Sequence, residues 1–325
     1  MHDLRLRREL DPASLTAIRH LLEDTTRIEG HAPIGEHKLA HLTPGAQDWD
    51  GILAYAGDRL IGYAHLRWNP AGSNPRVAVE VVVHPDHREE GVQAALLDAT
   101  RTTVANGGGG RMFLWVHRVE DPTDTLAFRM GFRIQRQLAY MRRPATPVPD
   151  APTLPNGVTV RPYAGPADDS AFLEVNNAAF ADHPENGGWD HAEFTARRSL
   201  PWFDPDGLFM AFAEDGKPFG FHWTKWHVHE GDDHAPHDPY GEVYVLAVHP
   251  RAQGLGLGRS LLRIGMRHLA ARADQIVLYV DCAEEGPVAL YRSEGFDLRY
   301  REVCFVDEVA PAGGPATREL LRPAG

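Results

Sequence analysis

Cysteine is nearly absent from this chain: Cys282 and Cys304 are the two in 325 residues. That excludes a disulfide framework and suits a reducing compartment, so a cytoplasmic location is expected. Long apolar runs are missing as well. No stretch approaches the roughly 20 residues that cross a bilayer, and Met1-His-Asp-Leu-Arg-Leu-Arg-Arg-Glu9 lacks the apolar core of a secretion signal, so no membrane partner is expected. Positive charge is in deficit, 33 Lys and Arg against 45 Asp and Glu for a net charge of −12, which argues against nucleic acid as a partner. A standard zinc signature is lacking too. His227-Val-His-Glu-Gly-Asp-Asp-His-Ala-Pro-His-Asp238 offers ligand types without the spacing, so a solvated loop and no metal are expected there. What remains is globular: 43% hydrophobic and 24% charged residues, over a length that suits two domains better than one. A monomer is expected.

Proline marks the middle. Pro144, Pro147, Pro149, Pro152 and Pro155 read as an extended connection over 144–156, with one domain at 1–143, a second at 157–308 and a tail at 309–325. The two sides can be laid over each other. Ala78-Val-Glu-Val-Val-Val-His-Pro85 matches Val243-Tyr-Val-Leu-Ala-Val-His-Pro250, and Gly131-Phe132 matches Gly295-Phe296. A period of about 165 residues is a duplicated domain rather than a solenoid repeat. In the second copy, strands are predicted over 208–213, 219–227, 241–249, 275–282 and 296–306, with helices over 257–272 and 286–293. Strand pairs followed by strand–helix–strand units predict an α/β fold with a mixed, twisted sheet, built twice.

The most informative segment follows strand 241–249. Gln253-Gly-Leu-Gly-Leu-Gly-Arg259 leads straight into an amphipathic helix. Glycines let the backbone approach an anion, and the helix N-terminus adds positive dipole, so this is a pyrophosphate cradle. Its spacing is not the dinucleotide-binding GxGxxG. The strand, the His-Pro and the Q-x-x-G-x-G loop together resemble motif A of the GNAT (Gcn5-related) N-acetyltransferases.

That resemblance implies two tandem GNAT domains and acetyl-CoA as co-substrate. The cofactor would lie on Leu246, Ala247 and Val248 of the strand, on Gln253, Gly254, Leu255, Gly256, Leu257, Gly258 and Arg259, and on Glu284, Glu285, Gly286, Val288 and Ala289. It also implies that Tyr291 protonates the departing CoA thiolate, a task a phenol can perform. The alternative for Tyr291 is a helix-end tyrosine packed on the sheet. The candidate base is Glu242, whose alternative is a solvated glutamate at a strand start. In the family an asparagine stands seven residues before the tyrosine; here it is Glu284, which puts that contact in doubt. The first copy is degenerate. Val81, Val82, Val83, Glu89 and Gly91 stand at the cofactor positions, but Glu89 and Glu90 repel phosphate, Gln93 replaces a glycine, and Ala127 stands where the tyrosine would be.

Further motifs narrow the resemblance: Val175-Asn-Asn-Ala-Ala-Phe180, His183-Pro-Glu-Asn-Gly-Gly-Trp189, Pro201-Trp-Phe-Asp-Pro205, Gly220-Phe-His-Trp-Thr-Lys225 and Leu278-Tyr-Val-Asp281. With the tandem layout, they are similar to the mycothiol synthase family, whose members acetylate the cysteinyl amine of desacetylmycothiol. That implies a substrate site of Glu36, Glu185, Lys225, Glu242 and Tyr279, with the second copy active. Two other readings stay open on the residues: acetylation of a different amine, and a non-catalytic acyl-CoA sensor. Cys282 is expected to be a small packed side chain, since direct attack by an amine needs no thiol.

Overall fold

The computed structural model describes residues 3–30, 33–34, 48–69, 75–181, 187–227 and 239–313. The chain forms two compact units. One takes the residues up to Leu138 and those from Tyr300 onward; the other takes Ala139–Asp232 and His237–Arg299.

The first unit begins with β1 (Asp3–Arg7), α1 (Pro12–Glu29), β2 (Trp49–Ala56), β3 (Arg59–Asn69) and β4 (Arg76–Val83). The chain continues through α2 (Val92–Asn106), β5 (Gly110–Val119), the short α3 (Leu126–Arg129) and β6 (Arg133–Pro144). Local chemistry sets the ends of α1: Asp11 accepts the Ser14 N–H, Pro12 sits in the first turn, and Gly30 closes the helix in a left-handed conformation. β1 to β4 pair antiparallel, while β4 and β5 pair parallel, as a helical crossover through α2 requires. Gly107 to Gly110 make the turn from α2 into β5.

The second unit repeats the plan with β7 (Val158–Pro162), α4 (Asp169–Ala179), α5 (His191–Arg198), β8 (Leu208–Ala213), β9 (Pro218–His227) and β10 (Tyr240–Val248). Then come α6 (Leu257–Leu269), β11 (Gln275–Asp281), α7 (Glu285–Ser293) and β12 (Asp297–Val309). β7 to β10 are antiparallel, and β10 pairs parallel with β11. The predicted elements appear within three residues of their expected ends. α6 stops at Leu269 rather than 272 because the next N–H groups turn back by three residues, Ala271 to His268 and Arg272 to Leu269.

The last strands do not follow chain order. β12 runs antiparallel to β5, from Arg301–Val119 to Val309–Gly110, so Val303 and Phe305 join the core of the first unit with Met112 and Leu114. The end of β6, Ala139 and Met141, joins the core of the second unit with Leu262, Met266 and Leu278. The proline-rich segment after β6 is tied along α6. Arg267 donates to the Pro149 carbonyl at 2.8 Å and Ser260 to that of Thr153 at 3.0 Å. The opposite face of the second sheet carries an aromatic core of Phe172, Phe194, Phe221 and Trp223, with the Phe172 and Phe194 rings stacked at 4.0 Å. Among the described residues no helix is long and apolar enough to cross a membrane.

Candidate active site

β10 ends at Val248, and a short turn over Pro250–Ala252 delivers the chain to the exposed run Gln253–Gly256 before α6 begins at Leu257. Gly254 and Gly256 adopt φ of +78° and +79°, where L residues are strained, although a Cβ would meet nothing within 4 Å at either. Both glycines are therefore required by backbone shape rather than by crowding. That leaves an unobstructed surface beside the N–H groups of Leu257, Gly258 and Arg259, which have no partner inside a helix. Gly258 is tucked between β10 and α7, its position facing Val248 and Leu290 at 3.6 and 3.9 Å. Leu255 is exposed. Arg259 donates to Ser293 Oγ at 3.1 Å and approaches Glu294 at 3.5 Å, which holds its charge beside the loop. Such a surface suits an anion, with backbone N–H groups and the Arg259 guanidinium beside it.

The strand before the loop parts from its neighbour. β10 and β11 are paired from Tyr240–Gln275 to Glu242–Val277, and the ladder ends there although both strands continue. Leu246, Ala247 and Val248 keep pairing with His222, Phe221 and Gly220 of β9 on the other side. Their edge toward β11 is thus left unpaired by that strand just before the loop.

A bulge re-aims the side chains on the same strand. The β9–β10 register slips between Val243 and Val245. Val243 therefore packs with the α6 side of the core, while Val245 and Ala247 pack with Phe172 and Trp223 on the opposite side, together with Tyr244. Glu242 and Lys225 are direct cross-strand partners and so share a face. Lys225 turns its ammonium over the Trp202 ring, 5.0 Å from the centroid, and Trp202 in turn lies 4.9 Å from Tyr244. Glu242 Oε2 lies 2.6 Å from His227 Nε2. Tyr279, two residues past the partner of Glu242, is 46% exposed and packs at 5.1 Å from Tyr140.

α7 supplies the remaining group. Glu284 occupies its N-cap without a side-chain cap hydrogen bond, and Glu284, Glu285 and Gly286 are exposed. Val288 is half-buried and Ala289 exposed. Tyr291 is 8% exposed, edge-on to Phe296 at 5.9 Å. Its hydroxyl makes no hydrogen bond among the described residues, and burial pushes the phenol well above its usual pKa. A group held neutral in this way keeps its proton for donation at any working pH.

In the first unit the corresponding strand also parts from its neighbour, the β4–β5 ladder ending at Val79–Leu114. Val81 there is half-buried, Val82 and Val83 buried. Glu89 is exposed in the turn Pro85–Glu90, and Gly91 caps α2 with φ +75°. Ala127 is buried in α3. Glu36 and Glu185 lie outside the described residues.

Lys225, Glu242 and Tyr279 are thus brought to one face of the second unit's strands, while the loop follows β10 and Tyr291 lies on the helix that follows β11. Sequence reasoning did not single out Trp202 or Tyr244, and it placed His227 both at the end of the strand 219–227 and at the start of the histidine-rich stretch expected to be solvated. The structure buries His227 as the last residue of β9. The available signal was its position two residues after Lys225, on the same strand face.

The family model described as "Acetyltransferase (GNAT) family" matches residues 15–132 and 172–296. The chain is 40% identical over 294 residues to the mycothiol acetyltransferase of Mycolicibacterium smegmatis, covering 89% of this chain and 94% of that protein. It is 42% identical over 289 residues to that of Thermomonospora curvata, covering 88% and 91%. Among solved structures, a GCN5-related N-acetyltransferase from Sphaerobacter thermophilus shares the fold, with a TM-score of 0.66 at 20% identity, covering 95% of this chain and 96% of that one. A tandem GNAT protein from the clavulanic acid biosynthesis pathway aligns with a TM-score of 0.65 at 16% identity, covering 95% and 100%.

Proposed function

From the premise that this chain belongs to the mycothiol acetyltransferases, tandem-domain enzymes of the GNAT family, we propose that its second unit transfers the acetyl group of acetyl-CoA to the cysteinyl amine of desacetylmycothiol. The reaction makes mycothiol. The observation that carries this reading is the parting of β10 from β11 just past Glu242, between the glycine loop and a face holding a carboxylate, an ammonium and aromatic rings.

The steps divide among the residues named above. The loop Gln253–Arg259 and the α6 N-terminus bind pyrophosphate, and the first turns of α7, Glu284 to Ala289, flank the cofactor with Glu284 making its contact through backbone. The released edge of Leu246–Val248 holds the thioester arm and aims an N–H at its carbonyl. Lys225 and Tyr279, with Glu36 and Glu185, bind the hydroxyl-rich acceptor. Glu242 takes the proton of the ammonium, directly or through one water. An α-amine titrates near pH 8, so this base has only a modest task. As the amine nitrogen bonds to the carbonyl carbon and the carbon–sulfur bond breaks, Tyr291 gives its proton to sulfur, and the second proton the nitrogen sheds in becoming an amide restores the phenol, directly or through water. In the first unit Val81–Val83 and Gly91 offer a similar strand and turn, with Glu89 weakening any anion there and Ala127 unable to donate a proton. We propose a monomer acting in the cytoplasm.

The test is a mixture of purified protein, acetyl-CoA and desacetylmycothiol, followed by CoA release and product mass. One acetyl group gained on nitrogen is expected. Release with other amines alone would leave an acetyltransferase of another substrate; binding of acetyl-CoA without turnover on any amine would overturn the catalytic reading.

A further inference from the structure

Glu242 and Lys225 stand directly opposite each other on paired strands, an arrangement in which opposite charges ordinarily meet. They do not pair. Lys225 lies over Trp202 at 5.0 Å, and the Glu242 carboxylate goes to His227 at 2.6 Å. The His227 ring lies flat on Tyr240, at 4.3 Å and 15°, and its side chain is 7% exposed against 14% for Glu242. An ionised carboxylate offers only lone pairs, so the proton of this hydrogen bond sits on Nε2.

We infer that His227 is the positioning residue of the proton-accepting carboxylate: its Nε2–H holds Glu242 Oε2, keeps the carboxylate away from Lys225 and leaves Oε1 to take the proton of the acceptor amine. The inference rests on the reading of Glu242 as that acceptor. The chemistry explains why a second ring is present. A carboxylate paired with an ammonium is a poorer base, and an ammonium paired with a carboxylate is a poorer donor to substrate hydroxyls. Trp202 and His227 hold the two charges apart, so both remain available. The titratable groups at this face among the described residues include Lys225 and His227 on β9, Tyr240, Glu242 and Tyr244 on β10, Tyr279 on β11 and, packed on Tyr279, Tyr140 on β6.

The experiment compares His227→Phe, which keeps the ring against Tyr240 without a donor, His227→Gln, which restores an N–H at similar reach, and Glu242→Gln. His227→Phe is expected to lower kcat/KM for the acceptor by about tenfold, to shift the acid limb and to leave the KM for acetyl-CoA within about twofold. His227→Gln recovers most of the loss. Equal impairment in both His227 variants, or a wild-type pH profile in His227→Phe, overturns the inference while leaving Glu242 as the base. An unchanged rate in Glu242→Gln overturns the base itself. A readout free of substrate is the nitrogen-15 spectrum of labelled histidine, with His227 identified by its loss in the Gln variant. The Nε2–H form is expected, with a titration that moves in Glu242→Gln; a titration indifferent to Glu242 overturns the pairing.

Discussion

Arg263 and Glu294 meet in a two-pronged ion pair, Nε to Oε2 at 2.9 Å and Nη2 to Oε1 at 3.0 Å, which ties the helix behind the glycine loop to the end of the helix carrying Tyr291. Glu294 is 3% exposed and Arg263 32%. The Glu294 carbonyl also accepts from Arg143 at 2.6 Å, and its carboxylate lies 3.5 Å from Arg259. Removing this carboxylate leaves Arg263 and Arg259, both on α6, without their anionic partner. Glu294→Ala is expected to lower unfolding stability by about 2 kcal/mol, the cost of a half-buried charge pair moderated by solvent at the arginine end. Urea titration checks it; an unmoved midpoint would remove the pair from the forces that join α6 to α7.

Tyr291→Phe keeps the ring that packs on Phe296 and removes only the hydroxyl that would donate the proton. Turnover is expected to fall by about 10²-fold or more, with acetyl-CoA affinity nearly unchanged, since general-acid assistance is of that size. Because burial raises the phenol pKa, the alkaline limb of the wild-type profile is not expected to come from Tyr291. Wild-type turnover in this variant would take the general acid away from Tyr291.

The elements were legible because each is written locally. The alternation in 241–249, the glycine loop and the amphipathic 257–272 each specify their own backbone, and the structure returns β10 and α6 at those places. Pairing is a long-range choice that periodicity does not carry. Nothing in Tyr300–Val309 says that it will lie on β5. The bulge at Tyr244 was likewise hidden, since an extra residue shifts the face of everything after it without changing composition. His227 was hidden for a different reason. It ends the expected strand 219–227 and also opens a stretch of histidines and acidic residues that reads as solvated, and nothing in that composition says that its ring meets Glu242.

Gly265 is fixed by a neighbour rather than by its own backbone. A Cβ there would lie 2.1 Å from Cε1 and Nδ1 of His222, a ring buried in the sheet that donates from Nδ1 to the Leu261 carbonyl at 2.8 Å. Gly265→Ala must displace that ring and its hydrogen bond, and the better helix propensity of alanine offsets only about 1 kcal/mol. A net loss of about 2 kcal/mol is expected from overpacking. The double variant with His222→Ala should be less than additive, as measured by thermal unfolding; strict additivity would contradict the contact.

The two units should respond to pH in opposite directions. In the first, His117 lies between Glu302, to which it is hydrogen-bonded, and Glu80 at 3.9 Å. Burial alone would lower its pKa, but the hydrogen bonds and attraction of Glu302 and Glu80 outweigh burial and lift it from 6.5 to about 9. The folded unit thus holds this proton more tightly than the unfolded chain. The resulting stability is full below pH 6.5 and is lost as pH rises toward 9. In the second unit His222 is the reverse case: burial lowers its pKa to about 4 despite the Leu261 carbonyl. The folded form favours the neutral ring, so this contribution is present above pH 6.5 and is lost as pH falls toward 4. Calorimetry across pH 4 to 9.5 should resolve a transition that weakens with alkali and one that weakens with acid. His117→Gln should flatten the first and leave the second, because the imidazolium between the carboxylates is gone while the ring under α6 is untouched. A single transition with one pH slope, unaltered in His117→Gln, would mean that neither histidine governs the linkage.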